Sequence, residues 1–338
     1  MLLCMSFSDI SGVEQKDDNT FQLTEDLNKF TIDRSKVPTN FTGSLDGNGH
    51  KIKGLSNPFI EQLSGEIYHI VFENMKSPVV ADNKGTVTNI TVKNANITGS
   101  RSGSICEENH SSGVIKECEV IETTITGGHI GLISGINAGE IYECDTDGSI
   151  KGKITGGICG LLIQSGSVYD CSSTAELVCD WKGGGIIGSD EGFQQEQVLI
   201  QNCLFTGTID VQRSGGGVLI GGQHSKNTER VYKSCTVNTK IASEEDGLRA
   251  DKIEDCDFEI YLESNVTLFK NKKTILNNST VHVTVEDMLG FSFTKNSSNH
   301  ELHDSKFDVT VRVNGEMTNE PTDIFEETTN SNFTTSTI

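Results

Sequence analysis

Three carboxylates, Glu117, Glu143 and Asp170, recur at nearly equal spacing, each immediately before a cysteine. Acids repeated in this way on neighbouring turns of a fold could do two kinds of chemistry. Two of them about 5 to 9 Å apart across a groove would suit a glycosidase. Stacked at strand spacing, roughly 4.8 Å, they would repel by about 1 kcal/mol per pair in water and attract a cation, with Ca2+ the natural choice for oxygen ligands. Acids on the outer face of an acidic protein are also ordinary solvated surface, so no catalytic residue is assigned. The three are carried forward as a cation-site expectation only.

The stretch 40–55, NFTGSLDGNGHKIKGL, has the composition of a phosphate cradle or an active-site loop. A phosphate loop needs a helix after it, and KIKGLSNPF reads as strand and turn. Gly43, Gly47 and Gly49 are instead expected at corners, where positive φ or close backbone approach favours glycine. Asp46 and Asn48 suit the same corners through Asx-type hydrogen bonds, with Ile52 and Leu55 pointing inward. Among the eight histidines only His300 and His303 are close enough to consider as a pair. No Ser-His-Asp or P-loop signature and no cofactor motif stands out. The lone Trp181 is either a corner packed on the next turn or a platform for stacking a sugar. It is the ligand-binding candidate, together with the loops 180–197 and 212–230.

Nine N-x-[ST] sequons, at Asn40, Asn89, Asn96, Asn109, Asn265, Asn277, Asn278, Asn296 and Asn332, are candidate glycosylation sites on an external surface, although a chain rich in Asn, Ser and Thr carries some by composition alone. The formal charge of −21 opposes a nucleic acid or an anionic membrane as partner. No apolar run is long enough to span a bilayer, so membrane insertion is not expected. The opening MLLCMSFSDISG is too short and lacks the basic end of a signal peptide.

The elements that must position these residues are set by composition and repetition. Only 34% of the 338 residues are apolar, with 35 Gly, 4 Pro and 1 Trp, which is the balance of strands and turns rather than helices. The segments beginning at Gly113, Gly139 and Gly166 align as G-x-[IV]-x-x-C, a polar strand, then G-G-x-x-G. Extending the frame gives about ten turns. The first inward column is Ile67, Val87, Ile115, Ile141, Val168, Ile200, Tyr232, Ile253, Leu276 and Leu302. Three residues on come Ile70, Ile90, Cys118, Cys144, Cys171, Cys203, Cys235, Cys256, Ser279 and Ser305; two further on, Phe72, Val92, Val120, Thr146, Ser173, Phe205, Val237, Phe258, Val281 and Phe307.

None of these columns carries a charge, and alternation beyond them marks a strand. The two residues between the first and second columns sit on a bend, the second of them forming an outward column from His69 through Glu117, Glu143 and Asp170 to Asp304. No single turn buries its own apolar side, so turns must stack into a parallel β-helix.

In that stack six of the 10 cysteines form one packing ladder rather than bridges, because their parallel Cβ vectors oppose the disulfide torsion. A buried hydroxyl in this ladder would need a hydrogen bond that packing alone does not provide. Cys4, Cys106, Cys159 and Cys179 lie off the ladder, and Cys159 with Cys179 is the pair to test for a bridge.

The phrases GHIGLISGINAGEIYECDTDGSI and GGICGLLIQSGSVYDC resemble GLUG-motif repeats, and FQLTEDLNKF with FTGSLDGNGHKIKGL is similar to the opening coil that leads into them. The likeness runs from about Phe21 to Gly222. It implies an all-β, right-handed, single-stranded parallel β-helix of adhesin-like surface proteins, in which the motif is structural and supplies no catalytic residues. The expected organisation is an N-terminal cap and leading strand over 1–40, the β-helix over 41–313 and a polar tail or capping strand over 314–338. The expected function is a non-enzymatic extracellular, cell-surface or virion-surface module for adhesion, receptor binding or assembly, with a carbohydrate, a surface receptor or further copies of itself as partner. Alternatives are a polysaccharide-degrading tailspike or lyase and a structural filament or sheath subunit.

Overall fold

The computed structural model describes residue 7 and residues 10–28, 37–190, 196–213, 215–222, 228–243, 247–262, 267–269, 273–285, 292–294, 300–311, 325–329 and 332–337. The protein is all-β, a solenoid of parallel strands in which each strand pairs with its equivalents one turn earlier and one turn later. One large sheet carries the repeat columns and a seven-stranded sheet forms a second wall. Val13–Asp17 pairs antiparallel with Thr20–Leu23 at the N-terminal end, where Phe7 packs among Phe21, Phe41 and Phe59 and covers the first turn. Among the described residues no helix is long and apolar enough to cross a membrane.

The register follows the inward columns. Ile67, Val87, Ile115, Ile141, Val168, Ile200, Tyr232, Ile253, Leu276 and Leu302 are successive backbone partners. The column continues toward the N-terminus through Leu45 to Phe21. All of these side chains are buried, and the second and third columns are buried with them. Register is so firmly held because a slip of one residue would turn every apolar side chain outward.

The cysteine column does more than pack. Each thiol donates to the carbonyl two residues earlier, as Cys118 to Lys116 at 3.1 Å, Cys144 to Tyr142 at 3.2 Å and Cys171 to Tyr169 at 3.1 Å. Ser279 and Ser305 make the same bond from a hydroxyl, at 2.7 and 2.6 Å. Toward the C-terminus the sulfur or oxygen also accepts a backbone N–H from the turn before: Cys235 N–H to Cys256, Cys256 N–H to Ser279, Ser279 N–H to Ser305. The column therefore selects a small side chain that can donate and accept, and the expectation that a hydroxyl would find no partner is corrected. Cys144→Ser is expected to cost under about 1 kcal/mol, whereas Cys144→Ala, which loses both the bond and the sulfur's volume, should cost about 2 kcal/mol. Urea unfolding of the two variants checks this; a serine variant less stable than the alanine variant would contradict it.

Cys159 and Cys179 are both free and buried, which removes the bridge considered for them. Cys179 Sγ instead contacts Thr155 Oγ1, and Cys159 lies in the second wall in register with Ser134 and Ile187.

The glycine frame also shifts. Gly131, Gly156, Gly184 and Gly217 are register partners, so GLISG at 131–135, not GGHIG at 127–131, is the equivalent of GGICG at 156–160. These glycines stand where one sheet turns into the other. A Cβ at Gly160 would lie 2.5 Å from Ile130 N, and one at Gly188 would lie 2.5 Å from Gly160 O. The corner is closed by backbone against backbone.

Candidate ligand-binding face

The outward column has a backbone explanation. His69, Asn89, Glu117, Glu143, Asp170, Asn202, Ser234, Asp255, Asn278 and Asp304 all have φ between 44° and 56°. A left-handed residue at this bend kinks a strand that otherwise runs on, as at His69 within Glu66–Glu73, and Asn and Asp tolerate it best after glycine. Their stacking is relieved by hydrogen bonds between turns: Asn202 Nδ2 donates to Asp170 Oδ1 at 2.7 Å, and Asn278 Nδ2 to Asp255 Oδ1 at 2.8 Å. Lys116 Nζ lies 3.9 Å from Glu117. The ligand oxygens of Glu117, Glu143 and Asp170 do not converge to coordination distance among the described residues.

In the stretch 40–55, Gly49 and Asn48 have φ of 77° and 50°. Gly47 is held by close approach, since a Cβ there would meet His69 O at 2.4 Å. Asp46 Oδ1 accepts the Asn48 N–H at 2.8 Å, and Ile52 and Leu55 are buried. This bend is longer than those of the later turns and leaves a recess of about 310 Å³ lined by Asp46, Asn48, His69, Asn89 and Thr91. His69 Nδ1 stands 3.3 Å from Asp46 Oδ1 across it.

His300 and His303 are split between two faces. His300 is fully buried, with Nδ1 accepting the Thr274 N–H at 3.0 Å, and burial lowers its pKa to about 4. His303 faces outward beside Glu301 at 3.5 Å.

Of the sequons, Asn40, Asn89, Asn96 and Asn278 are exposed and Asn277 is half-buried. Asn109 is fully buried, and its amide donates to Asn137 at 2.8 Å, so its side chain is not accessible in the folded chain. Asn265 and Asn296 lie outside the described residues, as does the side chain of Asn332.

Trp181 is 52% exposed, so it is not a packed corner. Gly152 pairs with Cys179 and Ile154 with Lys182, which sets Asp180 and Trp181 opposite the single Lys153. The extra residue is a β-bulge, a device that re-aims a side chain out of the sheet. Lys182 Nζ lies 4.8 Å from the indole centroid and covers one face of the ring. Lys182 is itself only 3% exposed. Burial above all, then Arg249 and Arg230, pull its ammonium below the usual lysine value against the opposing effect of Asp190.

Behind the tryptophan, Arg230 makes a bidentate pair with Asp190 at 2.9 and 2.6 Å, with both side chains fully buried. Arg230 also donates to Gly221 O at 3.2 Å, and Arg249 Nε to Gly216 O at 2.6 Å. Tyr232 OH accepts the Ile220 N–H and donates to Arg249 O. These contacts clamp the bases of the two loops marked from the sequence, 180–197 and 212–230, whose segments 191–195, 214 and 223–227 lie outside the described residues. Below them His129 shares a column with Arg101, Ile154 and Lys182. Burial, Arg101, Lys182 and Lys153 hold His129 below the ordinary histidine value, which keeps its ring neutral at pH 7.

Lys182, Asp190, Arg230 and Arg249 were not singled out from the sequence. The one signal was charge beside glycine runs, as at Lys182 before Gly183, Gly184 and Gly185, which repetition alone does not interpret.

No family model matches the chain, and no curated protein matches it. Among solved structures it is similar to one described as a "putative immunoglobulin A1 protease from Bacteroides ovatus", at 17% identity over 69% of this chain and 74% of that one. The TM-score is 0.44, at which the likeness carries no argument about fold or activity.

Proposed function

We propose that the protein is a non-catalytic binding module, a right-handed parallel β-helix of about ten coils resembling GLUG-repeat proteins, that holds a saccharide against Trp181 on a cell or virion surface. The observation that supports it is the half-exposed indole at a bulge, with Lys182 against the ring, on a scaffold that carries a buried ion pair. Apolar C–H faces of a pyranose stack on such a ring, while neighbouring polar groups take its hydroxyls. A ring held rigidly before binding loses little entropy when the ligand arrives.

Equilibrium binding to a panel of neutral and acidic oligosaccharides tests this. At least one member is expected to bind wild type, with Trp181→Ala weakening it tenfold or more and leaving the melting temperature unchanged. Binding that survives Trp181→Ala would reject the site, and cleavage of any panel member would reject the non-catalytic reading.

A further inference from the structure

The geometry points to a transition-metal site formed by Asp82, Glu108 and His110 on the outer face of the second wall, a divalent Zn2+-type ion being the ligand. Asp82 and Glu108 are register partners on the adjacent strands Val80–Asn83 and Cys106–Asn109. Strand alternation turns the next residues inward, where Asn83, Asn109 and Asn137 are fully buried and join amide to amide at 2.8 Å on each step. That internal ladder fixes the height of each strand. The N–H of His110 donates to Asn83 O at 2.8 Å, which fixes the histidine backbone over the lower turn.

The outward side chains are thereby brought together. His110 Nε2 lies 3.4 Å from Asp82 Oδ1 and Nδ1 lies 3.7 Å from Glu108 Oε1, and one ligand atom from each residue falls within 4.8 Å of the other two. Arg101 stands 3.6 Å from Glu108 Oε2 and leaves Oε1 directed at the imidazole, an outer contact of the kind that orients a metal ligand. All three side chains are part-buried, at 40%, 27% and 32% exposure, so water can complete the coordination.

The donor set decides the metal. One imidazole nitrogen and two carboxylate oxygens suit Zn2+, Co2+ or Mn2+, whereas Ca2+ and Mg2+ prefer oxygen alone and more ligands. Three protein ligands also leave positions open, unlike a closed structural zinc site. The buried thiols, which favour the same metals, are sealed in the core and do not compete while the protein is folded.

Chelator-treated protein titrated with ZnCl2, CoCl2 and CaCl2 tests the site. Zn2+ is expected to raise the melting temperature saturably with one equivalent bound, and Co2+ to give ligand-field absorption from a mixed nitrogen and oxygen set. His110→Asn and Asp82→Asn should each weaken Zn2+ at least tenfold, and Ca2+ should have no effect at the same concentration. An absent or non-saturating Zn2+ response would overturn the proposal. So would a response retained in both variants, an equal response to Ca2+, or a Co2+ spectrum of thiolate character.

Discussion

Raising the pH from 8 to 10 in the presence of a reductant is expected to unfold the protein cooperatively. The thiols of Cys106, Cys159, Cys179 and Cys203 are held above their ordinary value of 9.0 chiefly by burial, and Cys106 and Cys179 are pushed up to about 12. Burial does the same for Cys144, and the stacked Cys235 thiol, followed by burial, for Cys256. In the unfolded chain all six titrate near 9. The folded state therefore keeps protons that the unfolded state has released, and its advantage is complete below pH 9 and lost as pH climbs toward 12 and beyond. One pH unit above the unfolded value each thiol costs about 1.4 kcal/mol, so six together reach the range of a whole domain's stability, about 5 to 15 kcal/mol. Circular dichroism through an alkaline titration checks this, and a native spectrum retained at pH 10.5 would mean that these thiols are not sealed from water.

Arg230→Met is expected to cost about 3 to 5 kcal/mol, because it leaves the fully buried carboxylate of Asp190 without its bidentate partner. The double variant Asp190→Leu with Arg230→Met should regain most of that loss, since a buried ion pair replaced as a unit by apolar groups is often neutral in stability. Urea unfolding of the single and double variants is the measurement; equal loss in both would show that the hydrogen bonds of Arg230 to the loop base, rather than the pair, carry the energy.

The columns were legible because burial of one side of every strand leaves a period that survives irregular loop lengths, and Ile67 through Leu302 fall in the register the sequence implied. The bend was legible as a bend but not as left-handed backbone, since Glu117 and Glu143 are poor residues for that conformation and hid the preference for Asn and Asp. The glycine frame was misread by one motif because GG at 127–128 and GG at 156–157 look alike while serving different places: Gly127 pairs with Gly152, and Gly131 with Gly156.

Asp190 and Arg230 stand 40 positions apart in the chain, and only the stacking of turns brings them together. The triad of Asp82, Glu108 and His110 was missed for the same reason. Two of its ligands belong to one strand end and the third to the turn before. Trp181 was marked from its rarity alone, and its exposure follows from a bulge that no local pattern announces.

Because Trp181 is the chain's single tryptophan, fluorescence excited at its own absorption edge reports the proposed site and nothing else. Titration with the saccharide that binds best in the panel should shift its emission to shorter wavelength, saturate with the affinity measured at equilibrium, and protect the indole from acrylamide quenching. Full binding with an unchanged spectrum and unchanged quenching would place the ligand elsewhere and contradict the assignment of this face.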